Sequence, residues 1–503
     1  MLFNSYEFIL FLPLALAAHF LAARWSISAA VATTTISSLI FYAWWKPPFV
    51  VLPIASIVLN YWLASRILAS PIAERRPLVL AGVAANVLVL AYFKYFDFIL
   101  SIFEQRSASV PDVPLALSFT TFVQIAFLVE LARHPEKVAP AKYAMFVAFF
   151  PHLIAGPIVR WSELGPQLDD RGRYRINWDN VALGLTIFLL GLAKKILLAD
   201  QLSPHVSLVF DAAAAGQPIG AAAAWGASIA YSLQLFFDFS AYSDMAVGLG
   251  LLFNLRLPVN FAAPLRSTSI IDLWRRWHIS LSRFLRDFIY VPLGGGKKGG
   301  LRQCANLFVT MLIGGLWHGA NWTFIAWGAF HGALLTLNHI WRLLRGPVRP
   351  TMIGRSVGWL LTFAAFAVGM TMFRAANIET AGSLLQAMAG FGPGASDVNF
   401  NPAPDFWFLR QGYVSEEFVR TWFGAHWSIS ATLLTAAALA VMLLVPDTME
   451  LTNYRENEPH SDWRRSYGLT WTPSAAWCAG AVVLFAVLFA RLNQFTEFLY
   501  YQF

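Results

Sequence analysis

Charged residues are scarce in this sequence. Asp, Glu, Lys and Arg make up 13% of its 503 residues and hydrophobic residues 57%, whereas soluble globular domains are about 25% charged. Cysteine is scarcer still, and Cys304 and Cys478 alone can build neither a disulfide framework nor a cysteine metal cluster. The composition therefore excludes an ordinary soluble enzyme and a disulfide-stabilised secreted domain.

Long apolar runs are abundant instead. Each is about 17–20 residues long, the length that lets an α-helix cross about 30 Å of hydrocarbon. No basic stretch precedes the first run, which we expect to be a retained span and not a cleaved signal peptide. The runs predict an all-α, polytopic membrane protein with spans near residues 7–23, 27–45, 49–68, 77–96, 114–131, 180–199, 221–239, 303–320, 321–341, 356–373, 429–446 and 474–492.

No internal repeat divides the chain. We therefore expect one integral membrane domain over residues 1–503. Its core covers residues 110–375, and its C-terminal spans lie within residues 429–492.

Basic residues in short loops predict the orientation of the spans, because such loops stay in the cytoplasm. The 70–77 loop carries Arg75 and Arg76, and the 255–304 segment carries nine Lys or Arg against two acidic residues. Counting spans from these loops puts both chain ends outside, together with the 374–428 segment.

The apolar stretch FVAFFPHLIAGPIVR, residues 146–160, does not fit a full crossing. Pro151, Gly156 and Pro157 interrupt it, and a crossing would place Arg160, at its end, and the three arginines that follow at 171, 173 and 175 outside. We expect a broken, re-entrant segment, which is tolerated only against other protein or a water-filled cavity. It contains His152.

The 255–304 segment is the most basic part of the chain. Its middle, IIDLWRRWHISLSRFLRDFIYV, has apolar residues at helical spacing and predicts a cytoplasmic amphipathic helix on the inner leaflet. Arg275 and Arg276 would then face lipid phosphate or, alternatively, a phosphorylated acyl donor. The tail GGGKKGG, with Lys297 and Lys298, could bind the phosphate of such a donor, although it matches no P-loop spacing.

Two carboxylates, Asp238 and Asp244, come at or just past the end of the predicted 221–239 span. Ionisable residues at membrane depth are candidates for functional sites. The alternative is that both cap helices or pair with Arg275 or Arg276.

Residues 315–332, GLWHGANWTFIAWGAFHG, place His318 and His331 in an almost wholly apolar and aromatic stretch. The two histidines are thirteen residues apart, about 220° around an ideal helix. We therefore do not expect them to share a face, and we expect His331 to be a hydrogen-bonded structural residue.

Four motifs in this order resemble the membrane-bound O-acyltransferase (MBOAT) family: FDFSAYSDMAVGLG, PVNFAAP, WRRWHISLSRFLRDFIYVPLGG and GGLWHGANWTFIAWGAFHG. The resemblance runs from residue 110 to the end of the chain. It is greatest to the branch that modifies bacterial polysaccharides, which includes the alginate O-acetyltransferase membrane subunit AlgI and the teichoic-acid D-alanylation membrane protein.

The resemblance implies a ring of tilted helices around a thin centre, with a tunnel that joins funnels from the two sides. It implies acyl transfer from an activated thioester to a hydroxyl. The family's WHG histidine corresponds to His318 and its RRWHISLS histidine to His278. Because an imidazole within hydrogen-bond reach can take the proton of a hydroxyl during attack, we expect His318 to be the general base. His278 would orient the donor or polarise its carbonyl.

The acyl donor, acetyl-CoA or an acyl carrier, is expected as a substrate. No bound cofactor and no metal is expected, since His278 and His318 are not at ligand spacing on one helix. The expected partners are membrane lipid, an exported polysaccharide and a periplasmic acetyltransferase-like or esterase-like subunit, with no nucleic acid. The further candidates for substrate or donor binding are Arg275, Arg276, Trp317, Asn321, Asp238, Asp244, Lys297 and Lys298.

Other functions fit parts of the same pattern. An acyltransferase for a lipid or protein would share His318 but take another acceptor. A transporter or channel would use Asp238, Asp244 and His318 as a proton relay, and a structural export subunit would tolerate the loss of His318. We expect a polysaccharide O-acyltransferase of the bacterial inner membrane, with the thioester inside and the polysaccharide outside.

Overall fold

The computed structural model of the chain describes residues 1–103, 113–346, 351–392, 427–454, 470–492 and 499. Most of the 374–428 segment, predicted to lie outside, falls beyond these residues. The described residues are largely helical and include no β-strand, which confirms the predicted all-α class.

The α-helices of the described residues are α1 (Tyr6–Ala23), α2 (Ile27–Ala43), α3 (Val51–Ala69), α4 (Ile72–Leu90), α5 (Phe96–Ile102), α6 (Leu117–Arg133), α7 (Pro140–Ala148), α8 (Phe150–Leu153), α9 (Trp161–Asp169), α10 (Trp178–Ala193), α11 (Asp200–Ala214), α12 (Ala221–Leu252), α13 (Ile270–Arg276), α14 (Ile279–Leu285), α15 (Gly300–His318), α16 (Trp322–Arg345), α17 (Met352–Arg374), α18 (Ile378–Met388), α19 (Ile429–Leu444), α20 (Thr448–Thr452) and α21 (Ala475–Phe489). Short π-helical turns at Ala91–Tyr95 and Lys194–Ala199 continue α4 into α5 and α10 into α11.

Seven helical stretches in the described part of the chain are long and apolar enough to cross a membrane. The chain is therefore a polytopic helical membrane protein, as predicted.

The predicted 221–239 span ends too early, because α12 continues to Leu252 and is 32 residues long. Its most apolar stretch is completely buried inside the protein. A helix that is buried on all sides belongs in the centre of a bundle.

Small residues let α12 occupy this central position. Gly184 of α10 and Gly248 of α12 face each other so closely that a Cβ on Gly248 would lie 2.5 Å from the carbonyl oxygen of Gly184. In a membrane, where lipid is as apolar as the side chains, such close backbone packing holds helices together.

Ion pairs gather several helix ends on one face of the protein. We call it the basic face and define it by Arg160, Glu163, Arg283 and Asp287. Arg160 lies 2.6 Å from Asp287, and Arg283 lies 2.6 Å from Glu163. These pairs join the start of α9 to the 255–304 segment.

Other helix ends meet on the opposite face. The hydroxyl of Tyr42, at the end of α2, donates to the carbonyl of Leu115, just before α6. The amide of Asn321, just after α15, donates to the carbonyl of Ala376, just after α17.

The 146–160 stretch is broken and buried, as the re-entrant prediction requires. α7 ends at Ala148, the four-residue α8 follows, and the chain then continues without helix to Arg160. Both ends of the stretch lie on the basic face, since Lys142 pairs with Asp169 and Arg160 pairs with Asp287. Four residues of helix are about 6 Å long, far too short to cross a bilayer.

The 255–304 segment does not contain the single amphipathic surface helix that its sequence predicts. α13 and α14 are separate seven-residue helices. The break is at His278, whose φ of +43° puts it in the left-handed region. The apolar spacing holds within each helix, but the break turns the segment inward, and Trp277, His278 and Ile279 are all buried.

The two faces give a direct prediction of topology. We expect the basic face to be cytoplasmic, because the 255–304 segment that contributes to it carries nine Lys or Arg against two acidic residues. In a background with Cys304 and Cys478 replaced by serine, Lys298→Cys should react with a membrane-impermeant maleimide only after the inner membrane is opened. Glu379→Cys, an exposed charged residue of the opposite face, is the matched control and should react in intact spheroplasts. The reverse pattern would refute the predicted orientation.

Candidate active site

His318 ends α15 where α15 and α16 cross. The crossing is close because Gly315 has no side chain: a Cβ there would lie 2.3 Å from the carbonyl oxygen of Phe324. Gly319 is as tightly placed, with the ring of Phe324 2.1 Å from where its Cβ would be. Close packing thus requires glycine both before and after His318. The imidazole of His318 lies inside the protein and is only 6% exposed.

Aromatic rings surround the imidazole of His318. Its centroid lies 5.1 Å from those of Trp327 and Phe373 and 4.9 Å from that of Trp317. His318 also lines a cavity of about 790 Å³. The cavity lies on the opposite face, and its wall includes Glu7, Trp44, Trp45, Lys94, Leu115, Phe119, Trp317 and Asn321.

Lys94 holds the end of α15, a role that the sequence did not reveal. It lies in the π-helical turn after α4, and such turns often mark functional sites. Its Nζ donates to the carbonyls of Trp317 at 2.7 Å and His318 at 2.9 Å. Tyr95, next in the turn, donates to the carbonyl of Leu316 at 2.7 Å. The turn thus binds carbonyls that a helix end leaves unpaired, and the ammonium complements the helix dipole.

His278 lies between α13 and α14 and is 1% exposed. Its imidazole meets the ring of Phe239 edge-on, with centroids 4.7 Å apart. Its Nδ1 is 3.1 Å from Oδ1 of Asn260. Asn260, in the PVNFAAP motif, is a second site residue that the sequence analysis did not single out.

The hydrogen bonds of Asn260 fix which nitrogen of His278 carries the proton. The backbone N–H of Ser280, which can only donate, points at Oδ1 of Asn260 at 3.2 Å, and the Asn260 amide nitrogen faces the hydroxyl of Ser243 at 3.2 Å. Oδ1 is therefore an acceptor, and Nδ1 of His278 must be the donor to it. In the neutral ring, Nε2 then carries the lone pair.

The structure brings His278 and His318 together from different elements. Both rings contact Trp317, with centroid distances of 6.2 Å for His278 and 4.9 Å for His318. The two imidazoles are close enough that a charge on His278 would act on His318. Trp317, predicted as a substrate-binding residue, contacts both of them and lines the cavity.

Asp238 lies within α12, not at its end, and its ion-pair partner in the described part of the chain is a lysine, not Arg275 or Arg276 as the alternative proposed. Its carboxylate is 2.6 Å from Nζ of Lys195, which also contacts Asp200 at 2.8 Å. This group links α12 to the turn between α10 and α11.

Asp244 is likewise inside α12 and pairs with a lysine. It lies 2.8 Å from Nζ of Lys194, which contacts Asp447 at 2.9 Å. Neither Asp238 nor Asp244 lines the cavity beside His318. A lone charge buried at this depth is costly, and the lysines supply the compensation.

The predicted basic donor-binding residues all lie away from that cavity. Arg276 contacts Asp272 of its own helix at 3.0 Å, while Arg275, Lys297 and Lys298 are exposed. Their contact with a donor stays a prediction.

The remaining polar residues have local roles. Asn321 lines the cavity and caps α16 by accepting from the N–H of Thr323. His152 donates from Nε2 to the carbonyl of Phe146 at 3.0 Å.

His331 differs from expectation. Its ring packs against that of Trp327, with the centroids 5.0 Å apart. The expected hydrogen bond is not found, because neither ring nitrogen has a partner among the described residues.

A buried imidazole that lines an aromatic-walled cavity, with a second imidazole against the same tryptophan, marks a candidate acid–base site inside a membrane protein. The sequence model of the membrane-bound O-acyltransferase family matches residues 84–380, and the chain belongs to that family. The predicted resemblance is thereby confirmed, and the protein is a membrane-bound O-acyltransferase.

Curated relatives cover most of the chain. The peptidoglycan O-acetyltransferase of Helicobacter pylori is 39% identical over 425 residues, which are 78% of this chain and 80% of that protein. The probable alginate O-acetylase AlgI of Azotobacter vinelandii is 40% identical over 415 residues, 79% of this chain and 80% of that protein. The teichoic acid D-alanyltransferase of Streptococcus thermophilus is 28% identical over 45% of this chain and 57% of its own length.

Proposed function

We propose that this enzyme transfers an acyl group, acetyl in the simplest case, from a cytoplasmic thioester to hydroxyls of an exported polysaccharide. The observation that carries the proposal is the placement of the two histidines. His318 lines a cavity on the opposite face, His278 belongs to the segment that forms the basic face, and both contact Trp317. A donor and an acceptor from opposite sides of a membrane would meet at such a point.

The names of the relatives support a polysaccharide as the acceptor. Peptidoglycan and alginate are both glycans outside the cytoplasm, and the enzymes named for them share about two fifths of their aligned residues with this chain. We infer the same acceptor class here, reached directly or through a periplasmic partner subunit. A bacterial inner membrane is the location that this proposal requires.

In the reaction, the acceptor hydroxyl occupies the cavity beside His318. The imidazole takes the hydroxyl proton as the oxygen attacks the thioester carbonyl carbon. A C–O bond forms, the C–S bond breaks, and the thiolate leaves and takes up the proton. The surrounding rings exclude water, which would otherwise compete as the acceptor.

His278 orients the donor in this scheme. Because Nδ1 donates to Asn260, Nε2 of the neutral ring can accept a hydrogen bond but cannot give one to a carbonyl oxygen. Of the two predicted roles, the tautomer favours holding an N–H or O–H of the donor over polarising its carbonyl. Phosphates of the donor would remain at the basic face, near Arg275, Arg276, Lys297 and Lys298.

Product analysis tests the proposed acceptor. Cells with and without this chain should differ in O-acyl groups on the envelope polysaccharide, as measured by mass spectrometry of the purified glycan before and after mild alkali. Restoring the wild-type chain should restore the groups. Unchanged glycan together with altered lipids or proteins would instead support an acyltransferase for those acceptors, and no change in any acylated product would contradict an acyltransferase role in these cells.

A further inference from the structure

Residues 442–454, at the end of α19 and in α20, touch the loop at residues 257–266. This part of the chain lies beyond the residues 84–380 that the family model matches. The first contact is a hydrogen bond of 2.8 Å from the hydroxyl of Tyr454 to the carbonyl of Leu257. Both residues are buried.

The second contact anchors the other end of the loop. The guanidinium of Arg266 donates to the carboxylate of Glu450 at 2.8 Å and to the carbonyl of Met442 at 2.8 Å. It also donates to the carbonyl of Val445. All three guanidinium nitrogens are thus used on the 442–454 segment, in the fixed fork geometry that makes arginine a specific clamp.

The third contact lies at a strained residue. Ala263 has φ +47° and ψ +51°, a left-handed conformation that a residue with a Cβ adopts only when its surroundings impose it. Its N–H donates to Oδ2 of Asp447 at 3.3 Å. Asp447 is itself held by Lys194, so the loop is tied through it to the core.

Asn260 lies between these contacts. The loop also pairs with the His278 turn through its backbone: the N–H of Ile279 donates to the carbonyl of Asn260 at 2.9 Å, and the N–H of Ala262 donates to the carbonyl of Arg276 at 3.1 Å. The position of the loop therefore sets where Asn260 meets His278.

We propose that the 442–454 segment is a positioning element for the reaction: it holds the 257–266 loop so that Asn260 keeps His278 in one orientation and one tautomer. For its effect on turnover the proposal rests on the proposed function. Tyr454, Asp447 and Glu450 are its positioning residues. None of them needs to touch a substrate, because they act through Asn260.

The mildest test removes one hydrogen bond. Tyr454→Phe deletes the bond to Leu257 and keeps the ring, so the protein should still fold. We expect kcat to fall about tenfold with the donor KM unchanged, since a small misplacement of a catalytic group has large effects on rate. Tyr61→Phe is the matched control, because it removes a similar bond of 3.0 Å to the carbonyl of Val138, outside the loop, and should leave kcat unchanged.

A double-mutant cycle shows whether the effect passes through Asn260. In an Asn260→Ala background, Tyr454→Phe should cause no further loss, because the group that the loop positions is already gone. Additive losses, an unchanged kcat in Tyr454→Phe, or a rise in donor KM alone would each overturn the proposal.

NMR of the His278 tautomer does not depend on acyl transfer, so it tests this proposal separately from the proposed function. With ¹⁵N-labelled histidine, the signals that disappear in His278→Asn belong to His278. They should show protonated Nδ1 in the wild type and a mixture of tautomers in Tyr454→Phe. A wild-type protein without acyl transfer would refute the proposed function, whereas an unaltered tautomer in Tyr454→Phe would refute the positioning role.

Discussion

His318→Ala should lower kcat for acyl transfer by about 10²–10⁴-fold, the contribution usual for a positioned general base. The variant should remain folded and inserted in the membrane. Its imidazole lines the acceptor cavity, whereas the fold around it depends on the glycine contacts of α15 and α16 and on Lys94, which binds backbone carbonyls and not the ring. Removing the ring therefore removes the base and keeps the site.

The measurement is the rate of acyl transfer by purified protein at equal protein amounts. His318→Gln, which keeps hydrogen-bonding groups but is not a base, should be as inactive as the alanine variant. His339→Ala changes a histidine near the other end of α16 that does not line the cavity, and this variant should retain activity. Wild-type rates from His318→Ala would contradict its assignment as the base.

His278→Asn is expected to have the next largest effect, a fall of about a hundredfold in kcat. Asparagine suits the left-handed backbone at this position, as histidine does, so the loss should not come from misfolding. Its short side chain can still reach Asn260, but it has no acceptor where Nε2 lies. The donor is then no longer held in register with the hydroxyl.

His278→Gln tests the chemistry more finely, because its amide oxygen can reach the region of Nε2. If Nε2 acts as an acceptor, glutamine should recover part of the activity that asparagine loses. Equal activity of both variants and wild type would remove His278 from the mechanism. Full loss in both variants would contradict the role of Nε2 as a simple hydrogen-bond acceptor.

The sequence predicted the class of fold because apolar length and loop charge are local properties. Pro151, Gly156 and Pro157 were enough to predict that the 146–160 stretch is broken. The end of α12 was not predictable in this way. Two carboxylates in an apolar run, Asp238 and Asp244, indicate the end of a span unless their cationic partners are known. Lys194 and Lys195, adjacent in an apolar run, were the signal that those carboxylates had cationic partners inside the bundle.

The site was predictable only where a motif carried it. His318 and His278 stand in motifs, and the structure places both rings against Trp317. Lys94 binds backbone carbonyls of a helix more than 200 residues away in sequence, and no local pattern shows such a contact. Asn260 was visible in PVNFAAP, but its role depends on a turn of His278 that helical spacing argues against.

Transfer across a sealed bilayer tests the central claim most directly. Proteoliposomes would enclose a radiolabelled acetyl thioester, with unacetylated envelope glycan and periplasmic extract outside. Labelling of Lys298→Cys would identify the vesicles in which the basic face points inward, toward the thioester. Wild-type protein should place alkali-labile label on the external glycan, and His318→Ala should place none. Label that stays inside despite donor consumption, or that reaches the external glycan equally in His318→Ala, would contradict transfer across the membrane at His318.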